Sequence, residues 1–249
     1  MDFKLMFDNI FRLLGEYWHI YLLEGVKNTL VLTIIAVLMG TILGALVAML
    51  KMSRFKIIRF IASVYIEVIR GTPILLQIYV FYFILPELFP LLDFSSFIWV
   101  AIALCVNSAA YVSEVIRSGI QAVDKGQTEA ARSLGMNQAQ TMLRIILPQA
   151  IRNILPAMGN EFIMILKETS LASTFFIGDL MTAHKTVAGA EYLQLESLII
   201  VGTIYLCMTF PLSKLVGLLE KKMSSPNSYK KHRFNRKRSL LLGGKVGEK

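Results

Sequence analysis

Long uncharged apolar runs, separated by short charged segments, dominate the pattern of this 249-residue chain. A helix needs roughly 20 apolar residues to cross the hydrocarbon core of a bilayer. The runs at 28–50, 94–113 and 197–213 approach or meet that length. The run at 71–85 is shorter, so its helix is expected to begin upstream, near residue 61. The pattern therefore predicts membrane-spanning helices.

The charged segments between the runs predict the orientation of these helices. The loop at 51–59 carries four basic residues and no acid, which is typical of a cytoplasmic loop, whereas the loop at 86–93 carries only acids. Residues from 214 onward contain eleven Lys or Arg residues against two acids, which predicts a cytoplasmic end. A chain that starts outside and ends in the cytoplasm must cross the membrane an odd number of times, and the four apolar runs supply only an even number. A fifth span is therefore expected at 152–176.

These observations predict an all-α integral membrane domain of five helices, with the amino terminus outside and the carboxyl terminus in the cytoplasm. The chain is expected to divide into an interfacial helix at 1–24, the membrane domain at 25–218 and a basic tail at 219–249. The tail is expected to be disordered, and its alternative role is to attract anionic lipid. Helix packing is expected along a four-residue repeat of small side chains. That repeat consists of Ala36, Gly40, Gly44 and Ala48. The expected spans lie at about 27–50, 61–85, 94–113, 152–176 and 197–217, with a cytoplasmic loop at 121–150.

Composition narrows the possible classes of protein. Hydrophobic residues make up 55% of the chain and charged residues 17%, so too little polar surface is present for a soluble domain. The net charge of +9 equals the excess of eleven basic over two acidic residues from position 214 onward. The charge therefore marks topology and does not indicate nucleic-acid binding. Cys105 and Cys207 both lie in apolar runs, which argues against a disulfide framework.

The sequence contains no recognisable motif for a catalytic site, a nucleotide-binding site or a metal site. The three histidines are scattered and lie apart from Cys and Asp at ligand spacing, and His19 and His184 are expected at the outer surface. No G-x-S-x-G nucleophile motif and no G-x-x-x-x-G-K-[ST] nucleotide motif occurs. We therefore expect no catalytic residue, no metal and no cofactor in this chain.

The polar loop after the third span carries a helix–turn–helix pattern. Asp124 can cap a short helix, Gly135 can end it in the left-handed conformation, and Asn137 with Gln140 can cap a second helix, which Pro148 is expected to interrupt. The element is too short and too polar to cross a membrane and too small to form its own core. It is therefore expected to bind a partner.

In this loop Glu129-Ala130-Ala131 is followed by Gly135, Ile145 and Leu147-Pro148. This ordered spacing resembles the EAA loop of permease subunits of binding-protein-dependent ABC importers. The similarity extends over roughly residues 20–222 and is that of the polar amino acid (histidine/glutamine) branch, with matching segments at 25–29, 67–73, 107–117, 159–162 and 167–171. The residues that match the EAA motif are Glu129, Ala130, Ala131, Gly135, Ile145, Leu147 and Pro148.

The resemblance implies a type I ABC importer domain in a bacterial cell membrane. In this family the EAA segment is a coupling helix that docks on a separate ATPase subunit, which uses ATP and Mg. It further implies a second permease subunit, identical or different, and an extracytoplasmic solute-binding protein that delivers a polar amino acid.

Polar side chains within the spans are candidates for a translocation path or gate, since a charge at membrane depth usually faces a partner or water. Internal hydrogen bonding is the alternative role for each of them. Two i,i+3 pairs, Glu67 with Arg70 and Glu114 with Arg117, predict structural ion pairs. The path candidates are Asn107, Ser108, Tyr111, Asn160, Glu161, Lys167 and Thr169.

Two other classes of function stay open on the sequence. A secondary transporter or channel usually shows inverted internal repeats, and no convincing repeat is present. An intramembrane enzyme would need a catalytic constellation of the kinds sought above. Neither class explains the ordered EAA pattern.

Overall fold

The computed structural model describes residues 3–223, and this part of the chain is helical with no β-strand. The predicted all-α class is therefore confirmed for these residues. The helices are α1 (Phe3–Trp18), α2 (Lys27–Lys51), α3 (Lys56–Gly71), α4 (Ile74–Tyr79), α5 (Leu85–Leu88), α6 (Ser96–Gln121), α7 (Lys125–Ser133), α8 (Gln138–Thr141), α9 (Leu147–Glu168), α10 (Leu180–Glu191) and α11 (Gln194–Met223). Short π-helical segments at His19–Val26, Val80–Ile84 and Met142–Ile146 and a 3₁₀ segment at Thr169–Phe175 join some of them.

The centre of the fold is α6, which packs against α2 on one side and α9 on another. The predicted small-residue repeat forms the α2 contact, because all four of its members are buried. A Cβ atom added at Gly44 would lie 2.8 Å from Val112 Cβ and 2.9 Å from the carbonyl oxygen of Ala109. The prediction of close packing along this repeat is confirmed.

Large apolar side chains cover the opposite, exposed face of α2. A helix that is small and buried on one face and apolar on its exposed face is suited to a lipid environment, since water would disfavour that exposed face. The exposed apolar side chains of α2 include Leu38, Met39, Ile42, Leu46 and Met49.

Within residues 3–223, three helical stretches are long and apolar enough to cross a membrane. They are Phe3–Lys51, Ser96–Gln121 and Gln194–Met223. A bent pair, Lys56–Gly71 and Ile74–Leu88, passes the same test when its two helices are taken together. α9, with 22 residues, is long enough but is not among them, because polar and charged residues such as Arg152, Glu161 and Lys167 lower its hydropathy.

No break in the helix separates residues 3–24 from the first predicted span, although α2 begins at Lys27, close to the expected start of that span. Helical structure continues from Phe3 to Lys51 through the π-helical segment His19–Val26. Gly25, at the expected boundary, does not break the helix but allows a close contact, with its virtual Cβ 3.0 Å from Leu180 Cα.

The predicted span at 61–85 is broken near its middle. α3 ends at Gly71, and the helix that follows it is inclined by 106°. Thr72 has an extended backbone with ψ 148°, as expected for a residue before proline, and Pro73 has no N–H to continue the helix. Pro73 is a helix-breaking residue that is visible in the sequence, but the prediction of a single helix relied on the apolar residues around it.

The limits of the last two predicted spans also differ from those observed. The helix expected at 152–176 begins earlier, at Leu147, and ends at Glu168, where a 3₁₀ segment takes over. The helix expected at 197–217 runs from Gln194 to Met223, so residues 219–223 belong to α11 and not to a tail. The rest of the predicted disordered tail, 224–249, lies outside the described residues.

Candidate coupling element and polar core

The EAA loop folds as the predicted helix–turn–helix. Asp124 Oδ1 accepts a hydrogen bond from the backbone N–H of Gly126 at 2.8 Å and so caps α7. Gly135 has φ +83°, the left-handed conformation predicted for it, and its N–H donates to the Arg132 carbonyl at 3.0 Å. The N–H of Met136 donates to the Ala131 carbonyl at 3.1 Å, which satisfies another carbonyl at the end of α7.

A reciprocal capping box starts the second helix of this element. Asn137 Oδ1 accepts from the N–H of Gln140 at 2.9 Å, and Gln140 Oε1 accepts from the N–H of Asn137 at 3.0 Å, as predicted. The predicted interruption at Pro148 is wrong. The chain passes through the π-helical segment Met142–Ile146 and continues as α9, with Pro148 in its first turn. The wider π turn accommodates a proline that lacks an N–H donor.

The EAA residues divide between an inner and an outer face of the loop. Ala131 is buried, whereas Glu129 and Ala130 are exposed. Leu134, next to the turn, leaves 84% of its side chain exposed. A short polar helix with a small residue and an uncovered leucine at its end presents a surface suited to a partner groove. Of the other motif residues, Pro148 is exposed, and Ile145 and Leu147 are half-buried.

A polar core lies between α6, α9 and the corner that follows α3. Ser108 Oγ donates to Glu161 Oε1 at 3.3 Å, and both residues are buried. Asn107 Nδ2 donates to Gln77 Oε1 at 2.9 Å. The side chain of Ser108 therefore binds α9, and the side chain of its neighbour Asn107 binds α4. Three of the predicted path residues are thus placed in internal hydrogen bonds.

Gln77 holds the corner at Pro73 and was missed by the sequence reasoning. Its Nε2 lies 2.7 Å from the carbonyl oxygen of Ile69, 3.2 Å from that of Thr72 and 2.9 Å from Thr72 Oγ1. These are groups that the broken helix leaves without its usual donors, and unpaired carbonyls are costly in a lipid environment. A signal was present, because Gln77 is the only amide side chain in the apolar run 71–85.

An ion-pair cluster surrounds Glu114 near the end of α6. Arg117 Nη2 donates to Glu114 Oε2 at 2.6 Å and its Nε donates to Oε1 at 3.0 Å. Lys51 Nζ lies 3.3 Å from Glu114 Oε1, and Arg70 Nη1 lies 3.8 Å from Oε2. Arg70 thus pairs across helices with Glu114 and not with Glu67, because the i,i+3 spacing on α3 was outweighed by a carboxylate on the neighbouring helix. The cluster ties the ends of three helices together.

The remaining path candidates are spread around this core. Tyr111 lies against Arg70, whose guanidinium carbon is 5.2 Å from the ring centroid. Thr169 is buried and donates back to the carbonyl of Leu166 at 2.8 Å. Asn160 and Lys167 are exposed, and their seven-residue separation puts them on the same face of α9, two turns apart. Of these four residues, only Asn160 and Lys167 are exposed.

His184 is buried, so the prediction of a surface histidine at this position is wrong. Its Nδ1 lies 3.0 Å from Ser197 Oγ, which in turn lies 2.8 Å from the hydroxyl of Tyr21. Burial, with a smaller effect of Lys185, lowers the pKa of His184 below its ordinary value. The histidine belongs to the packing of α10 against α11, and within residues 3–223 no three His, Cys, Asp or Glu side chains are grouped to hold a metal ion.

Comparison with known proteins gives consistent matches over most of the chain. Residues 40–225 match the family described as binding-protein-dependent transport system inner membrane component. The chain is 40% identical to the arginine transport system permease protein ArtQ of Bacillus subtilis strain 168, over 82% of this chain and 93% of that protein. It is 39% identical to the putative glutamine transport system permease protein GlnP of Rickettsia bellii strain RML369-C, with the same coverage of each.

A solved structure shows the same fold. The crystal structure of an amino acid ABC transporter with histidines contains a chain that is 44% identical to this one. The match has a TM-score of 0.79 and covers 84% of this chain and 96% of that chain. The type of membrane protein that the EAA spacing predicted is therefore confirmed at the level of sequence family and fold.

Proposed function

The chain belongs to the family of binding-protein-dependent transport system inner membrane components, and from this membership we propose that it is the permease subunit of an ABC importer for polar amino acids. Relatives named for arginine and for glutamine transport support the substrate class. A relative of 44% identity in an amino acid ABC transporter supports it as well. Multi-pass insertion in the inner membrane follows from the family and from the exposed apolar helices.

The single observation that carries the mechanism is the exposed end of α7. Ala130 and Leu134 lie uncovered on a helix whose two ends are fixed by Asp124 and by the left-handed Gly135. Because α7 is short, is fixed at both ends and has an exposed leucine next to its end, it can enter a groove of an ATPase subunit. Glu129 would then lie at the edge of that groove. The partner subunit binds ATP and Mg and hydrolyses ATP, and the movement of α7 is passed directly into α9 through the continuous helical connection after Asn137.

The topology that fits this role has five crossings, with the amino terminus outside and the carboxyl terminus in the cytoplasm. α2, the broken pair α3 and α4–α5, α6 and α11 supply four of them, and α9 supplies the fifth. α9 is polar for a span, but Glu161 is buried against α6. A charged residue that faces another helix is tolerated at membrane depth more readily than one that faces lipid.

The translocation path lies on the face of α9 that carries Asn160 and Lys167. An amide and an ammonium group can bind the carboxylate of an amino acid weakly, and both are exposed in the single subunit. A second permease subunit, a copy of this chain or a different one, would close this face. An extracytoplasmic solute-binding protein would deliver the substrate to the outer end of the path.

The decisive experiment compares uptake with ATP hydrolysis in the reconstituted complex of permease, ATPase and binding protein. Ala130→Asp is expected to reduce uptake at least tenfold because it places a charge in the docking groove, where an unpaired charge costs several kcal/mol. Ala190→Asp, the same change at an exposed position of α10, is the matched control. Normal uptake with Ala130→Asp would remove the coupling assignment. Uptake that continues without the ATPase or ATP would support a secondary transporter or channel instead.

A further inference from the structure

A basic groove of about 640 Å³ lies where α2 ends, α3 begins and α6 ends. It lies apart from the EAA element and is not lined by any of the path residues. Four of its eight lining side chains are basic and none is acidic. The lining residues are Lys51, Met52, Lys56, Arg59, Phe60, Ser63, Arg117 and Gln121.

The positive charge of the groove is only partly neutralised by the protein. Glu114 lies behind the wall and pairs with Lys51 and Arg117, which fixes these two side chains in place. Lys56 and Arg59 are exposed, and no acidic side chain within residues 3–223 forms an ion pair with either of them. Four positive charges therefore face one negative charge, and the remaining ammonium and guanidinium groups have donors available for an anion.

Apolar side chains border the same groove. Phe60 leaves 68% of its side chain exposed on its wall, and Phe55, Ile57 and Ile61 are exposed on the adjoining turn of α3. Basic groups beside exposed aromatic and aliphatic groups are typical of a protein surface at the membrane interface, where the charges contact headgroups and the apolar groups contact acyl chains. A freely dissolved anion would use the charges but would leave these apolar side chains uncovered.

We propose that this groove binds the phosphate group of an anionic phospholipid. Lys56 and Arg59 contact the phosphate directly, Lys51 and Arg117 add positive charge from the wall, and Phe60 packs against the acyl chain. The chemistry shared with inorganic phosphate is the phosphate oxygen, and the apolar border favours the lipid. The bound lipid would hold the start of α3 against the ends of α2 and α6, beside the ion-pair cluster of Glu114.

The test measures which lipids stay bound to the permease purified with its ATPase. The complex is reconstituted in nanodiscs that contain equal amounts of phosphatidylglycerol and phosphatidylcholine, and the retained lipids are counted by native mass spectrometry. The double variant K56Q/R59Q is expected to lower the retained ratio of phosphatidylglycerol to phosphatidylcholine by about thirtyfold, since each basic group near an anionic surface contributes a factor of about five. The control K221Q/K222Q, at the end of α11, removes the same charge outside the groove and is expected to leave the ratio unchanged.

Each alternative outcome is decisive. An equal loss in both double variants, or in neither, overturns the proposal, because the retention would then reflect general surface charge or another site. Displacement of phosphatidylglycerol by an equal concentration of inorganic phosphate assigns the groove to a free anion and overturns the lipid assignment. The single variants K56Q and R59Q, each checked for a monodisperse complex, keep the test valid if the double variant does not assemble. Lipid retention is measured without transport, so its failure is distinct from failure of the importer assignment.

Discussion

Gly40 of α2 and Ser108 of α6 are so close that a Cβ atom added to Gly40 would lie 2.7 Å from both Cβ and Oγ of Ser108. The same Ser108 hydroxyl donates to Glu161 of α9 at 3.3 Å. α2 and α6 therefore pack closely against each other at the level of the polar core. The position of Glu161 depends on a glycine more than a hundred residues earlier in the chain.

Gly40→Val is expected to destabilise the permease by about 1–3 kcal/mol, because the added side chain must displace Ser108 or separate α2 from α6. Gly202→Val is the matched control, since a Cβ added at Gly202 meets no atom within 4 Å. Thermal unfolding in detergent checks the difference between the two variants. Equal melting temperatures would contradict the close packing of α2 on α6.

Gln77→Leu is expected to lower the free energy of unfolding by about 1–3 kcal/mol, because the carbonyls of Ile69 and Thr72 at the broken helix lose their donor. The amide of Asn107 loses its acceptor in the same variant. In a double-mutant cycle with Asn107→Leu, the two losses should therefore be less than additive. Strictly additive unfolding free energies would show that the Gln77–Asn107 hydrogen bond does not stabilise the corner.

Lys167→Gln is expected to lower the uptake rate at least tenfold without a change in melting temperature, because a charge-assisted contact to a carboxylate is worth about 1.5–3 kcal/mol. Lys167 is exposed and belongs to none of the ion pairs within residues 3–223, so its replacement breaks no salt bridge of the fold. Lys214→Gln, at an exposed lysine of α11 that lies over the Phe210 ring, is the control. Unchanged uptake in Lys167→Gln would move the path away from this face of α9.

The sequence predicted the local structure of the EAA loop because its signals are local. The capping box of Asn137 with Gln140 and the left-handed Gly135 each depend on residues within one turn. The small-residue repeat of α2 was predictable for a related reason, since a repeat of four on a helix puts its members on one face. Which residues of α6 lie opposite that face could not be read in the same way.

The pairings between helices could not be predicted from spacing along one helix. Glu67 and Arg70 have the spacing of an ion pair, but Arg70 lies next to Glu114, which is 44 positions away. His184 was expected at the surface because its segment is predicted to face outward, yet it is buried, with its Nδ1 3.0 Å from Ser197 Oγ. Tertiary contacts decided these positions, and a single sequence does not contain that information in a local pattern.

Stability is expected to fall as the pH is lowered below about 6.5, the ordinary pKa of histidine. Burial lowers the pKa of His184 in the folded chain, so the unfolded chain binds a proton at a pH at which the folded chain does not, and protonation favours unfolding. The contribution of neutral His184 to the free energy of unfolding is fully present above the pKa of this histidine in the unfolded chain. It is lost as the pH falls toward the lower pKa in the folded chain. Melting temperatures measured between about pH 7.5 and pH 6 should fall less steeply in His184→Gln than in the unmodified chain. His19→Gln, at an exposed histidine, should keep the original slope, and identical slopes in all three proteins would contradict this origin of the pH dependence.

The proposed topology predicts opposite chemical accessibility for two exposed loops. Leu91, 98% exposed between α5 and α6, should face outward, and Gln138, exposed at the start of α8, should face the cytoplasm. After Cys105 and Cys207 are replaced by serine, Leu91→Cys is expected to react with a membrane-impermeant maleimide in intact spheroplasts. Gln138→Cys should react only after the membrane is permeabilised. Both side chains are exposed in the fold, so access to the reagent depends on the side of the membrane rather than on burial within the chain. Labelling of both in intact spheroplasts would require an even number of crossings between them, and would remove α6 as a membrane-spanning helix with ends on opposite sides.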